Sequence, residues 1–336
     1  MTQEIAPNRN VGILGVGAFA PADILTNKDL EAMVETTDDW ITERTGIKER
    51  RISKKDVPTS ELAAQAAENA LINAGLTIDD IDLIVVGTSS PDMFYPSVGC
   101  LVQTRLKANR KIAAFDVQAG CSGFSYSMVI ATQFIRTGMY KKILVIGADE
   151  ISKMLNWKDR NTCILFGDGA GAVILGEVEA PYGILGAFMG ADGNGGELLK
   201  FPAGGTRMPA TEETVKQDLH SVHMEGNEVF KFAVRVMGEA AAKALVDAGL
   251  QESDIDWLIP HQANMRIIQS AAKRLKMPME KVVINLDKYG NTSSASIPLA
   301  LEEAVRDGRI KKGDLVLMVG FGAGLTWASI AFRWGK

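Results

Sequence analysis

Cys121 is the residue of this chain best placed for nucleophilic chemistry. It stands in Gln118-Ala119-Gly120-Cys121-Ser122-Gly123-Phe124, after an apolar run at 112–117 that reads as a strand and before a helical run at 125–135. A strand-to-helix turn puts the thiol at the positive end of a helix, which favours the thiolate and predicts a lowered pKa. Gly120 and Gly123 let backbone and substrate come close. Most free cysteines are small buried hydrophobes, and that reading suits Cys100 and Cys163, which have no such setting.

A nucleophilic thiol needs a base or a donor beside it. Of the three histidines, His220 and His223 fall in a polar loop region and are expected to be solvated. His261 opens Pro260-His261-Gln262-Ala263-Asn264 directly after an apolar run at 255–259. Open α/β sheets place their sites at such C-terminal strand ends. Asn291, within Tyr289-Gly290-Asn291-Thr292-Ser293-Ser294-Ala295-Ser296, aligns with Cys121 at an offset of 170 when the two halves of the chain are compared. Its amide can donate to a developing enolate oxygen without taking a proton; a plain helix cap would be the alternative role. Two related helix starts would bring Cys121 and Asn291 to one site with His261 beside them. Phe166-Gly167-Asp168-Gly169-Ala170-Gly171 and Phe321-Gly322-Ala323-Gly324 read as tight turns between strands, and the second could lend a backbone N–H to an oxyanion together with that of Cys121. Gly15-Val16-Gly17-Ala18-Phe19-Ala20 matches a dinucleotide fingerprint only loosely, because Pro21 breaks the helix that would hold the pyrophosphate.

The elements that carry these residues occur twice. Gly12-Ile13-Leu14-Gly15 recurs as Gly183-Ile184-Leu185-Gly186, at an offset of 171. Ala74-Gly75-Leu76 with Asp80-Ile81-Asp82-Leu83 recurs as Ala248-Gly249-Leu250 with Asp254-Ile255-Asp256-Trp257, at an offset of 174. Leu144-Val145-Ile146-Gly147 is echoed by Leu317-Met318-Val319-Gly320, at an offset of 173. Several matches in one order at nearly one offset indicate two related halves, 1–175 carrying the cysteine and 176–336 carrying the histidine and asparagine. In the first half, an Ala-rich helix at 60–74 is expected with Thr59 or Ser60 as N-cap and Gly75 past its end, then a buried strand at 81–86. Near-continuous apolar runs at 143–146 and 315–319 suit sheets covered by helices on both faces. The fold class is therefore α/β, two pseudo-symmetric halves packed in layers. The stretch 193–223 reads as a loop, of the kind that serves as a lid, a binding loop or a disordered segment.

Bulk properties exclude several classes. The 336 residues are 46% apolar and 23% charged, with a net charge of −5 that argues against a phosphate-driven nucleic-acid binder. No apolar run approaches the roughly 18 residues of a spanning helix, and the polar segment 1–10 has no signal-peptide core. Three sparse cysteines fit reduced thiols in the cytoplasm.

Gly120-Cys121-Ser122-Gly123, Pro260-His261-Gln262-Ala263-Asn264 and Gly290-Asn291-Thr292-Ser293, in that order, resemble the β-ketoacyl-acyl-carrier-protein synthase III family. Trp40-Ile41, Arg44-Thr45-Gly46-Ile47 and Arg50-Arg51 look like its N-terminal signature, so the resemblance spans nearly the whole chain. It implies a thiolase-like fold, a homodimer, no cofactor and no metal. The implied reaction moves an acyl group from acyl-CoA to Cys121, then condenses it with malonyl-acyl carrier protein. The implied triad is Cys121, His261 and Asn291. Trp40, Arg44 and Arg160 match positions that hold the CoA nucleotide, and Met224, Gly226, Phe230, Asn264 and Phe321 match the pantetheine tunnel. Gln262, Ala263, Asn264, Met265 and Arg266 match the carrier-protein docking segment. Tyr95 matches a position that reaches the partner subunit's acyl pocket. The chain departs from the common pattern at Asn161, at Ala323 and at Tyr95, which stands where Phe is typical; acyl-chain choice is what these departures touch. Asn291 separates the chain from elongating synthases, which resemble a Cys-His-His pattern, and thiolases would want a second catalytic cysteine. A synthase III-like enzyme of secondary metabolism, a Cys-His thioester hydrolase and a non-catalytic acyl-binding protein are the rival readings.

Overall fold

A computed structural model of the chain describes residues 9–336; most of the polar segment 1–10 lies outside them. Two sheets organise the molecule. The first has the strand order Val11–Phe19, Asp168–Glu177, Ile143–Glu150, Leu83–Gly87, Ala113–Val117. The second runs Gly183–Ala191, Thr326–Arg333, Leu315–Gly322, Trp257–Pro260. In both, the first three strands pair antiparallel and the next pairs parallel. The first sheet adds Ala113–Val117 as a parallel edge; at the matching place in the second, Val282 makes only an isolated parallel bridge to Leu258.

The apolar runs explain the layering. The strands Ile143–Glu150 and Leu315–Gly322 are buried along their whole length, as strands with helices on both faces must be. Between the sheets lie the helices Gly123–Arg136 and Ser296–Arg306, whose Phe124, Met128, Ile135, Ile297 and Leu301 share one core with residues of both sheets. The helix Thr59–Ala74 covers the outer face of the first sheet. Gly226–Asp247 and Met265–Arg274 cover that of the second. Alternating helix and sheet layers therefore stack with the central helix pair in the middle.

One close contact shows how the repeated glycines act. A Cβ on Gly15 would lie 2.7 Å from both Ala70 O and Ala74 Cβ, and a Cβ on Gly186 would lie 2.3 Å from Ala244 O. Each glycine lets an Ala-rich helix rest directly on a strand. The loose dinucleotide fingerprint is thus a packing device inside the strand Val11–Phe19.

Several local expectations are corrected. The helix Thr59–Ala74 has Pro58 at its N-cap, and neither Thr59 nor Ser60 caps it. Asp92, from a distant loop, accepts from Ser60 N at 2.9 Å and from Ser60 Oγ at 2.6 Å, so the first turn is satisfied from outside. Asp168 to Gly171 is not a turn but the start of the strand Asp168–Glu177, a strand that also runs across residue 175. The region 193–223 contains a 3-10 turn at Gly193–Leu198, a two-residue strand at Leu199–Lys200 and a short helix at Glu212–Lys216. Among the described residues, no helix is long and apolar enough to cross a membrane.

Candidate active site

Cys121 sits in the turn between the strand Ala113–Val117 and the central helix Gly123–Arg136, and it is buried. Gly120 takes a positive φ of 53°, and Ser122 Oγ donates to Ala119 O at 2.7 Å, which closes the turn. The end of the strand Leu315–Gly322 backs onto it: a Cβ on Gly322 would lie 2.3 Å from Cys121 N. Only glycine permits that approach.

His261 follows the strand Trp257–Pro260, and its N–H donates to Val319 O at 2.8 Å. Its ring meets that of Phe321 edge-on at 5.4 Å between centroids, and its Nδ1 lies 2.6 Å from Ser296 Oγ. Asn291 is clamped by its backbone: its N–H donates to Leu165 O at 2.8 Å and its carbonyl accepts from Gly167 N at 3.0 Å. Its Oδ1 accepts from Ser293 N at 2.9 Å, which turns the amide Nδ2 the other way.

Cys121, His261 and Asn291 line one narrow cavity of about 90 Å³, together with Met224, Gly226, Phe230, Ala263, Asn264 and Phe321. Cys121 also lines a second cavity of about 430 Å³, walled by Ile151, Met154, Leu199, Phe201 and Val222. The thiol is thus the joint between a narrow channel and a wider, largely apolar chamber.

Burial dominates the electrostatics. It pushes the Cys121 thiol up to about 12, with a hydrogen bond from Ser293 lowering it and the Asp149 charge raising it. The expected lowering is therefore not met, because desolvation outweighs the helix N-terminus. Burial pushes His261 down to about 3, so its ring is neutral. Asp149 ties the halves of the site together. Its Oδ1 accepts from Ser89 N at 2.7 Å and from Ser90 N at 3.0 Å, and its Oδ2 from Ser294 N at 2.9 Å. Ser294 Oγ in turn donates to Gly120 O at 2.9 Å, next to Cys121. Nothing local in the sequence marks Asp149 or Ser294, since their contact spans 145 residues.

The remaining expected residues divide into groups. Trp40 lies in the helix Asp38–Thr45 with the guanidinium of Arg44 4.6 Å and that of Arg160 4.9 Å from its ring centroid. The ring is half-buried and the two arginines are exposed, and the cluster lines neither cavity. Asn264 caps the helix Met265–Arg274, and its Nδ2 donates to Arg44 O at 3.0 Å. Arg266 is exposed, and its Nη2 donates to Glu43 O at 3.2 Å. Gln262 departs from its expected place on a docking surface. It is 1% exposed, its Nε2 donates to Pro260 O and Val283 O, and its Oε1 accepts from Asn285 N and Leu286 N. An amide so fully used inside holds the strand end to the next loop. Tyr95 lines neither cavity and is highly exposed. His220 and His223 are half-buried rather than free in solvent; His220 Nε2 lies 2.9 Å from Thr214 Oγ1.

The layered sheets and the thiol at the head of a central helix define a thiolase-fold condensing enzyme. Two family models match the chain: 3-Oxoacyl-[acyl-carrier-protein (ACP)] synthase III at residues 115–193, and its C-terminal counterpart at residues 245–334. The chain belongs to the 3-oxoacyl-[acyl-carrier-protein] synthase III family. It is 60% identical over 325 residues to the beta-ketoacyl-[acyl-carrier-protein] synthase III of Caldanaerobacter subterraneus subsp. tengcongensis, which covers 97% of this chain and 98% of that relative. It resembles the crystal structure of 3-oxoacyl-[acyl-carrier-protein] synthase III from Aquifex aeolicus VF5 with a TM-score of 0.89 at 46% identity, over 96% of this chain and 100% of that one. The priming β-ketosynthase of the R1128 polyketide pathway is similar at a TM-score of 0.92 and 33% identity, over 100% of this chain and 99% of that one.

Proposed function

We propose that this chain condenses an acyl-CoA primer with malonyl-acyl carrier protein, giving 3-oxoacyl-acyl carrier protein, CoA and carbon dioxide, as the first condensation of fatty-acid synthesis. The observation that carries this reading is the convergence of Cys121, His261 and Asn291 on one cavity, with a second cavity behind the sulfur. Cys121 Sγ attacks the acyl-CoA thioester, and CoA leaves with the proton. The acyl chain then occupies the wider chamber. The malonyl thioester enters the narrow channel, where His261 Nε2–H and Asn291 Nδ2–H donate to its carbonyl oxygen. Carbon dioxide leaves, the enolate carbon attacks the acyl-Cys121 carbonyl, and the sulfur departs. A neutral imidazole suits this role, because it donates a hydrogen bond without releasing a proton. A thiol held near 12 stays uncharged at rest, and the helix N-terminus supports the negative charge that develops on the sulfur only as it attacks.

Met224, Gly226, Phe230, Asn264 and Phe321 would guide the pantetheine arm, and Trp40, Arg44 and Arg160 the CoA nucleotide. Met265 and Arg266 would meet the carrier protein, with Ala263 and the buried Gln262 supporting them. The halves 1–175 and 176–336 would each contribute one wall of the site. The enzyme would act in the cytoplasm as a homodimer in which Tyr95 reaches the partner's chamber. A priming role in secondary metabolism is the second reading, favoured by the similarity to the R1128 enzyme. Incubation with a panel of acyl-CoAs, followed by malonyl-acyl carrier protein, tests both. A short-chain adduct on Cys121 that is converted to 3-oxoacyl-acyl carrier protein supports the fatty-acid role. An adduct that only hydrolyses would refute condensation.

A further inference from the structure

His261 and Ser296 are 1% and 2% exposed, and Ser296 Oγ lies 2.6 Å from His261 Nδ1. The backbone N–H of Gln262 also points at Ser296 Oγ, at the longer distance of 3.4 Å. The other ring nitrogen, Nε2, has no hydrogen-bond partner among the described residues, and the ring borders the cavity shared with Cys121 and Asn291. Burial pushes the ring's pKa down to about 3, so it is neutral and carries its proton on one nitrogen only.

Hydrogen-bond accounting selects that nitrogen. With the proton on Nδ1, that N–H and the Gln262 N–H would both donate to Ser296 Oγ. The serine proton would then have no acceptor among the described residues. With the proton on Nε2, Ser296 Oγ accepts from Gln262 N and donates to Nδ1, and all three groups are paired. Buried polar groups in folded proteins are almost always paired.

We propose that Ser296 is a positioning residue for the condensation: its hydroxyl donates to His261 Nδ1 and holds the ring in the Nε2–H tautomer, which aims an N–H at the malonyl thioester oxygen. The carbon–carbon bond that breaks releases carbon dioxide and leaves its electron pair on the enolate, while Nε2 keeps its proton. Ser296 is the first residue of the central helix Ser296–Arg306, and it follows Asn291 by five positions. One short segment thus orients both donors. The Ser293 N–H fixes the Asn291 amide, and the Ser296 hydroxyl fixes the His261 tautomer.

The inference rests on the condensing role proposed above, and two separate measurements test it. The first is the nitrogen-15 spectrum of the histidine-labelled full chain, with the His261 signals assigned against His220→Gln and His223→Gln variants. The second compares malonyl decarboxylation with Cys121 acylation in Ser296→Ala. The wild-type spectrum is expected to show Nε2–H for His261. Ser296→Ala is expected to mix the tautomers and slow decarboxylation about 10- to 100-fold, by analogy with the loss when the partner that orients a metal-bound histidine is removed. Acylation by acyl-CoA should change little. An Nδ1–H signal in the wild-type protein overturns the proposal, as does a Ser296→Ala variant with unchanged spectrum and decarboxylation. If Ser296→Ala fails to fold, the wild-type spectrum alone decides. A wild-type protein that releases no carbon dioxide from a malonyl thioester refutes the condensing role, while the spectrum still reports the tautomer.

Discussion

A thiol as deeply held as that of Cys121 gains no nucleophilicity from its resting charge; its reactivity comes from what surrounds it during attack. Cys163 is also buried, and burial pushes it up to about 11, but it lines neither cavity. Cys100 is half-buried and lines neither cavity. Cys121→Ala should therefore eliminate covalent labelling by acyl-CoA, and mass analysis that finds the adduct on Cys100 or Cys163 would overturn the assignment. His261→Ala and Asn291→Ala would each remove one proposed donor to the enolate oxygen, a loss that typically slows such a step about 100- to 1,000-fold. Carbon dioxide release from malonyl thioester should fall accordingly, and more than acylation does. The depressed pKa of His261 also bears on stability. The folded state keeps the ring neutral down to about 3, whereas the unfolded chain protonates it near the ordinary 6.5. The stabilisation is present above 6.5 and is lost as pH falls toward 3. Urea denaturation of wild type and His261→Gln over that interval should show the wild type losing stability more steeply; parallel curves would contradict the burial argument.

On the proposed function, the helix Met265–Arg274 is the element that would meet the carrier protein. Ile267, Ile268, Ala271 and Ala272 are buried against the second sheet, which turns Arg266 and Lys273 outward. The basic run is less free than its sequence suggests. Arg274 approaches Glu239 at 4.0 Å, and Lys276, past the helix end, pairs with Glu252 at 3.2 Å. Arg266 stands two residues after Asn264, which lines the channel, and donates to Glu43 O. Arg266→Glu should raise KM for malonyl-acyl carrier protein while sparing acylation by acyl-CoA. The difference should shrink with salt, since exposed charges are screened over about 10 Å at 0.1 M. Equal losses with both substrates would point to a damaged channel instead.

At the scale of the molecule, one surface feature bears on the proposed homodimer. Met93, Phe94 and Tyr95 are 50%, 79% and 85% exposed in sequence, an apolar cluster of a kind that marks interaction sites. The edge strand Ala113–Val117 has one unpaired side, and such edges are available for further pairing. Replacing Phe94 and Tyr95 together by Asp should weaken self-association in sedimentation equilibrium and alter the preference among acyl-CoA primers. A variant that keeps both the wild-type mass and the wild-type preference would remove Tyr95 from the acyl chamber.

The sequence by itself determined the α/β alternation, the doubled pattern of glycines and apolar runs, and the three residues Cys121, His261 and Asn291 that line one cavity. These are local or periodic signals. A thiol between a strand and a helix, or a glycine where a helix must touch a strand, is written within a few residues. The tertiary structure alone decided who partners whom. Asp92 rather than Thr59 or Ser60 satisfies the first turn of the helix Thr59–Ala74, across 32 residues. Gln262, polar and next to the histidine, turns inward because backbone groups more than twenty residues away need its amide. The thiol pKa runs opposite to the helix argument, because depth of burial depends on every layer above the site. Ser296 reads as one more serine in a polar run, and only the packing of its helix start against the end of the strand Trp257–Pro260 brings its hydroxyl to His261, 35 residues away. Hydrogen-bond partners and desolvation belong to the folded assembly of layers, and no periodicity along the chain records them.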